Sequence, residues 1–253
     1  MENNSFKAGF HGGLPIGLGY LSVSFAFGIF AKTLGLSIFE TVLISMLNLT
    51  SAGQLAAVPI IARQGSLFEL ALSQIIINLR YALMGVSLSQ KFGDSVKLRH
   101  RFMIAFGNTD EVFAVATANP DKVGKRYCYG LITAPWVGWT LGTLLGACAG
   151  AILPAILISA LGIAIYAMFI AIVLPVARES GKTALCVLLA ATLSLAFAFI
   201  PGLKTVPTGF TVIIIAVSVG ALFAWLFPVK PEEKSAEKNA DIVDAEMQEQ
   251  GGK

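Results

Sequence analysis

The sequence predicts an all-α protein that crosses a membrane several times. Of its 253 residues, 56% are hydrophobic and only 13% are charged, whereas about a quarter of the residues in an ordinary soluble domain are charged. The mean hydropathy of +0.76 is correspondingly high. The apolar residues fall into runs of about 20, which is the length that one helix needs to cross a bilayer. Most of the chain is therefore expected to lie within a membrane.

Seven apolar runs are long enough to be transmembrane helices. They are residues 14–34, 38–62, 67–88, 127–153, 155–177, 183–200 and 208–227. The first run is too long for the apolar part of a cleaved signal peptide, so we expect a retained helix there. Together the runs predict a membrane transport domain over residues 1–228. Residues 229–253 alternate basic and acidic side chains without aromatics, which predicts a disordered cytoplasmic tail.

A shorter segment, residues 102–118, is interrupted by the polar run Gly107-Asn108-Thr109-Asp110-Glu111. Lysines and arginines flank it at residues 91–101 and again at 122–126, and such residues favour the cytoplasmic side of a membrane. We therefore expect a re-entrant or interfacial helix that enters and leaves on one side. This gives about seven crossings with the N-terminus outside. The alternative is eight crossings, with the second basic cluster outside.

An internal repeat is suggested by two patterns of proline with nearby glycine or arginine. Residues 14–19 resemble 134–142, and residues 58–63 resemble 174–178. An offset of three helices would make the repeat inverted, as in many secondary transporters, and an offset of four would make it parallel.

Charged residues inside apolar runs are candidates for function, because a charge at the centre of a bilayer costs at least about 2.5–3.5 kcal/mol. Arg80 lies well inside the third run, with Asn78 almost opposite it on the helical wheel. Arg80 either binds a substrate carboxylate, which its planar guanidinium suits, or forms a permanent ion pair with one of four acidic residues: Glu40, Glu69, Asp110 or Glu111.

The second run contains a polar stretch, residues 48–54, in its middle, which predicts a broken helix. Unwound backbone there would leave N–H and C=O groups free to bind a zwitterion, and the start of the following half-helix would favour a carboxylate. Asn48, Ser51 and Gln54 are therefore predicted to bind substrate together with Asn78 and Arg80. The alternative is close helix packing through small residues.

Asp110 and Glu111 lie in the segment predicted to enter the membrane. Acidic side chains there can relay protons or pair with Arg80. The compatible alternative is a helix that begins at Thr109 or Asp110 and carries Glu111 in its first turn.

The sequence gives no sign of catalysis. The two histidines lie outside the apolar runs, the three cysteines are isolated, and neither a metal-binding motif nor an ATP-binding P-loop is present. We expect no enzymatic activity, no metal or other cofactor, and no nucleic-acid partner, because the basic residues are spread between the runs. If the chain transports a substrate, transport would depend on an ion or substrate gradient, because the sequence contains no ATP-binding P-loop.

Several motifs taken together resemble the AzlC family of branched-chain amino-acid permeases. They are Leu14-Pro15 with Gly19-Tyr20, then Ser51-Ala52-Gly53-Gln54, Asn78-Leu79-Arg80-Tyr81 and Thr109-Asp110-Glu111, in order between residues 14 and 189. The resemblance implies export of branched-chain amino acids such as L-valine across a bacterial inner membrane, with a small four-helix AzlD-type subunit as partner. The chain departs from the family pattern in the stretch 50–54, at Asn108 and at Tyr81, where the family often has histidine.

The predicted function is thus a proton-coupled exporter. Arg80 would hold the substrate carboxylate, Ser51 and Gln54 would contact its polar head, and Asp110 and Glu111 would carry protons. The alternatives are a channel, a membrane scaffold subunit that does not transport, or a transporter of another small carboxylate.

Overall fold

The computed structural model describes residues 4–154, 170 and 173–228, and most of these residues are helical. The helices are α1 (Phe6–Thr33), α2 (Ile38–Leu47), α3 (Ser51–Ala62), α4 (Leu67–Lys91), α5 (Leu98–Phe106), α6 (Asp110–Ala118), α7 (Lys125–Ile152), α8 (Gly181–Phe199) and α9 (Thr208–Leu226). Residues 173–179 are also helical. Most of the predicted crossing at 155–177 and all of the predicted tail at 229–253 lie outside the described residues.

Five helices in the described part of the chain, α1, α4, α7, α8 and α9, are long and apolar enough to cross a membrane. The 28 residues of α1, at 1.5 Å each, extend about 42 Å, more than the hydrocarbon thickness of about 30 Å. The prediction of a multi-pass, all-helical membrane protein is therefore confirmed.

The helices α1 and α7 lie side by side and run in the same direction. A Cβ atom added at Gly17 would lie 2.5 Å from the carbonyl oxygen of Ala134, so the two backbones touch without a side chain between them. The same close approach recurs along the pair, with Gly9 against Tyr127 near the start and Gly28 against Thr143 towards the end. Small residues allow such close packing of membrane helices.

One end of the bundle, here called the basic end, gathers the starts of α1 and α7 and the end of α4. The Asn4 side chain donates to the carbonyl of Lys122 at 2.9 Å and accepts from the amide of Gly124. The amide of Gly93, just past α4, donates to the carbonyl of Val123 at 3.0 Å. The prediction that the N-terminus lies across the membrane from residues 91–126 is therefore wrong.

The helices α5 and α6 form a hairpin that enters the bundle from the basic end. The hairpin follows directly on residues 91–96, and it leads back to residues 122–125, which bond to that same stretch: the amide of Lys125 donates to Ser95 Oγ at 3.2 Å. Because both ends of the hairpin lie together, it does not cross the bundle. This is the arrangement of the predicted re-entrant segment.

The helices α2 and α3 form a second hairpin, which enters from the opposite end. Val58 of α3 packs in one apolar cluster with Phe27, Ala31 and Leu36, at the end of α1 and just before α2. With 10 and 12 residues, α2 and α3 extend only about 15 and 18 Å. The predicted break at residues 48–54 is thus present at 48–50. The prediction that 38–62 crosses the membrane once is wrong, because both ends of the hairpin lie at the same end.

The segments α1–α3 and α4–α6 share one plan in opposite orientations. In each, a long helix is followed by a hairpin that enters at the end where the long helix finishes. The repeat suggested by the sequence instead paired α1 with α7, and those helices run in the same direction. The inverted relation therefore lies between neighbouring units rather than between the predicted pair.

A buried carboxylate connects α4 to α9 at the end of the bundle opposite the basic end. Glu69 is 2% exposed, and its Oε1 accepts from Arg63 and from the amide of Gly209 at 2.9 Å. Because Gly209 lies in the first turn of α9, the negative charge also meets the positive end of that helix. Glu69 is thus paired with Arg63 and not with Arg80.

Candidate functional site

A cavity of about 600 Å³ lies between α1, α3, α4, α6 and α7. Tyr20, Arg80 and Trp139 line it, and each lies near the middle of its helix. The cavity is therefore at mid-depth in the bundle, and its volume is within the range of small-molecule sites, about 300–1,000 Å³.

Two helices begin at this cavity. Ser51, the first residue of α3, and Asp110, the first residue of α6, both line it. Thr109 caps α6 by accepting from the amide of Val112, whereas Thr50 gives its hydroxyl to Asn48 and does not cap α3. Helix N-termini carry partial positive charge and free N–H groups, so both favour an anion in the cavity.

Arg80 is paired with Asp110 inside the cavity. The distance from Nη1 to Oδ2 is 2.5 Å, and the two side chains are 50% and 47% exposed. Arg80 also donates to the hydroxyl of Tyr81 at 3.1 Å, and its guanidinium lies 4.8 Å from the centre of that ring. The ion pair is therefore open to a ligand rather than enclosed by protein.

Glu111 accepts a hydrogen bond from the hydroxyl of Tyr20. The Tyr20 and Trp139 rings meet edge to face, with ring centres 5.2 Å apart. Both acids of α6 are thus held by long helices, Asp110 by α4 and Glu111 by α1. Tyr20 and Trp139 were not predicted as site residues. The available signal was a phenol hydroxyl at the middle of an apolar helix.

A second cavity of about 280 Å³ lies beside the first. Asn48 and Asn78 line this smaller cavity, and Leu49 and Tyr81 belong to the walls of both. Asn78 donates to Gln74 at 3.2 Å, and Gln74 donates to the carbonyl of Gly53 at 2.9 Å. The two asparagines predicted to bind substrate therefore lie next to the main cavity, not in its wall.

Gln54 lines neither of these two cavities. Its side chain is fully buried, where Nε2 donates to the carbonyls of Asn48 at 2.7 Å and Ile44 at 3.2 Å, and Oε1 accepts from Trp139 at 2.9 Å. The amide satisfies backbone carbonyls that the helix break leaves without partners. In the structure Gln54 thus holds the break and lies outside both cavities.

The structure brings together four of the seven predicted site residues in the main cavity: Ser51, Arg80, Asp110 and Glu111. Apolar side chains complete its wall, among them Ile16, Val23, Leu49 and Ile77. Within the described ranges, no three histidine, cysteine, aspartate or glutamate side chains come together to hold a metal ion. The arrangement can accept a small molecule that carries one carboxylate and one apolar group.

Known proteins match more than half of the chain. The profile of the AzlC protein family matches residues 15–153. The inner membrane protein YgaZ of Escherichia coli (strain K12) is 34% identical over 191 residues, which are 72% of this chain and 77% of that protein. An uncharacterized membrane protein of Archaeoglobus fulgidus is 36% identical over 172 residues, 67% of this chain and 75% of that protein.

The branched-chain amino acid transport protein AzlC of Bacillus subtilis (strain 168) is 25% identical over 145 residues, 56% of each chain. No solved structure matches this chain. The match to the family profile covers more than half of the chain and includes both helix breaks and the main cavity. The chain therefore belongs to the AzlC protein family.

Proposed function

We propose that the protein is a secondary transporter that exports branched-chain amino acids of the L-valine type across the bacterial cytoplasmic membrane. The observation that carries this proposal is the mid-depth cavity, where Arg80 and the starts of two helices meet apolar walls. The B. subtilis relative is named as a branched-chain amino acid transport protein, which supports the substrate class. We propose transport rather than catalysis.

The substrate carboxylate would bind Arg80 in place of Asp110. A guanidinium binds a carboxylate through parallel, charge-assisted hydrogen bonds, and the half-exposed pair leaves room for an exchange of partners. Ser51 and the uncapped start of α3 would supply further donors. The branched side chain would lie against Ile16, Val23 and Ile77. One methylene changes apolar recognition by about 1–3 kcal/mol, so discrimination among valine, leucine and isoleucine would be modest.

Protons would provide the coupling, with Asp110 and Glu111 as carriers. The substrate carboxylate and Asp110 would compete for Arg80, so Asp110 would lose its partner each time a substrate binds. For an inward proton gradient to drive export, a proton would enter as each substrate leaves, so proton and substrate would occupy the site alternately. The resemblance to the AzlC family supports a small AzlD-type four-helix subunit as partner, in the same bilayer.

The test is efflux of preloaded valine from proteoliposomes that contain this chain, with and without the AzlD-type subunit and an imposed pH gradient. We expect saturable efflux that the subunit and the gradient increase. Efflux that rises linearly with valine concentration would identify a channel. With both proteins folded, an absence of valine, leucine and isoleucine efflux would refute the proposal and favour a scaffold or another small carboxylate.

A further inference from the structure

The described wall of the main cavity carries one cation and two carboxylates, which belong to Arg80, Asp110 and Glu111. Glu111 accepts a hydrogen bond from the hydroxyl of Tyr20, and Asp110 is paired with Arg80. A substrate carboxylate that binds Arg80 leaves the first of these contacts in place and breaks the second. Asp110 is therefore the carboxylate that needs a new partner when a substrate is bound.

The charge of the substrate decides whether that partner is available. A carboxylate without an amino group would add one negative charge to the cavity and leave Asp110 charged and unpaired, which is unfavourable at this depth in a membrane. An α-amino acid carries an ammonium together with its carboxylate. Its binding leaves the net charge of the cavity unchanged, and it supplies one cation for the carboxylate that it displaces.

The spacing of the two charges in an α-amino acid fits this exchange. Its amino nitrogen and its carboxylate carbon are attached to the same Cα, so they lie only about 2.5 Å apart. Such a ligand can meet two opposite charges of the protein only where those charges are neighbours. Arg80 Nη1 and Asp110 Oδ2 lie 2.5 Å apart, and both side chains are half-exposed. A zwitterion could open this direct contact and pair with both members.

The two helix starts at the cavity favour one orientation of such a ligand. The helix α3 begins at Ser51 with neither a side-chain cap nor an acidic residue in its first turn. The first turn of α6 contains both Asp110 and Glu111, and two full negative charges outweigh the partial positive charge of about one half at a helix start. The α3 side therefore favours the carboxylate of a zwitterion, and the α6 side favours its ammonium.

We propose that Asp110 binds the ammonium group of the substrate, and that this contact makes the cavity selective for α-amino acids over the corresponding α-keto acids. The inference rests on the proposed function and completes its account of recognition, in which Arg80 binds the carboxylate. The ammonium and the transported proton would then occupy the same carboxylate in turn, as an exchange of substrate for a proton requires.

The experiment compares two ligands of the purified full-length chain that differ in one group. L-Valine and its keto acid, α-ketoisovalerate, share the carboxylate and the branched side chain, but only valine carries an ammonium. Trp139 lines the cavity, so tryptophan fluorescence can follow the binding of either ligand. We expect valine to bind about 10- to 100-fold more tightly, because the keto acid lacks a hydrogen bond between charged groups.

Substitutions then assign this preference to one residue. Asp110→Asn should weaken the binding of valine until it equals that of the keto acid, because the amide carries no charge to attract an ammonium. Asp110→Glu keeps a carboxylate and should keep the preference for valine. Asp121→Asn is the matched control, since Asp121 is exposed and lies outside the cavity, and it should also keep the preference.

Two kinds of result would overturn the inference while valine still binds and the proposed function stands. One is valine binding no more tightly than the keto acid to the natural protein, a comparison that needs no variant and decides the matter even if Asp110→Asn folds poorly. The other is a preference for valine that survives in Asp110→Asn, or that is lost in Glu111→Gln instead. An absence of binding by both ligands would refute the proposed function together with the inference.

Discussion

Replacing Arg80 by lysine separates a substrate ligand from a structural ion pair. Lysine keeps the positive charge but loses the planar fork that binds a carboxylate through two hydrogen bonds. The loss of a hydrogen bond to a charged group costs about 1.5–3 kcal/mol, and each 1.4 kcal/mol is about a factor of ten in affinity. Arg80→Lys should therefore raise the KM for valine efflux about 10- to 100-fold.

The same substitution should leave the fold intact. Lysine keeps the charge that balances Asp110, so no charge at this depth is left without a partner, and the loss is confined to about one hydrogen bond, worth about 1 kcal/mol. For a chain of this size, a loss of about 1 kcal/mol lowers the Tm by only about 2–4 °C. An enclosed pair would instead cost about 3–5 kcal/mol when broken. Thermal unfolding of the purified protein distinguishes these two cases.

Arg63→Lys is the matched control, because Arg63 pairs with the buried Glu69 far from the main cavity. This variant should lower the Tm and leave the KM of the folded protein near normal. A reversed pattern would refute the reasoning: if Arg80→Lys unfolds the protein while the surviving fraction transports valine normally, Arg80 is a structural residue.

Three further predictions concern packing, coupling and topology. Gly17→Ala should destabilise the protein by about 1–3 kcal/mol through overpacking, measured by thermal unfolding, because its Cβ would meet the backbone of Ala134, whereas Gly19→Ala should cost nothing since no atom lies within 4 Å. Tyr20→Phe removes the donor to Glu111 but keeps the ring against Trp139, so it should fold normally and change the response of valine efflux to a pH gradient; an unchanged response would exclude Glu111 as a proton carrier. In a chain without its natural cysteines, single cysteines at positions 7, 97 and 125 should all react with an impermeant thiol reagent from one side and a cysteine at 32 from the other; position 7 reacting opposite to 97 would contradict the fold.

The direction of residues 38–62 could not be read from the sequence. The run has the length and apolarity of a crossing, and hydropathy reports depth in a membrane but not the direction of the chain. What determines the direction is tertiary packing, in which Val58 returns to Phe27 and Ala31 near the end of α1. The α5–α6 hairpin was predictable because basic residues on both flanks mark the same side of the membrane.

Site residues were predictable where their chemistry is unfavourable in a membrane. Arg80, Asp110 and Glu111 stand out because charged groups at that depth need a reason to be there. Tyr20 was missed, because the sequence shows its hydroxyl at the middle of an apolar helix but not the acidic partner, Glu111, that the hydroxyl meets in the fold. Gln54 was predicted to bind substrate, whereas in the structure it donates to the carbonyl of Asn48. The sequence could not distinguish these roles, because a side-chain amide offers the same donors and acceptor to a ligand and to a backbone carbonyl.

The two opposed hairpins explain why one small bundle can present both the positive starts and the negative ends of helices at its centre. Each hairpin turns at mid-depth, so it ends one helix and begins another at the same level. The turns meet, which places two helix starts on the main cavity and two helix ends on the smaller one. These partial charges favour a zwitterionic substrate, or an anion bound together with a cation. Because one hairpin enters from each end, each also covers the cavity from a different side. In the proposed transporter, a ligand that separates Asp110 from Arg80 would therefore release α6 from α4 on the basic side only, while α3 remains held through Gln54.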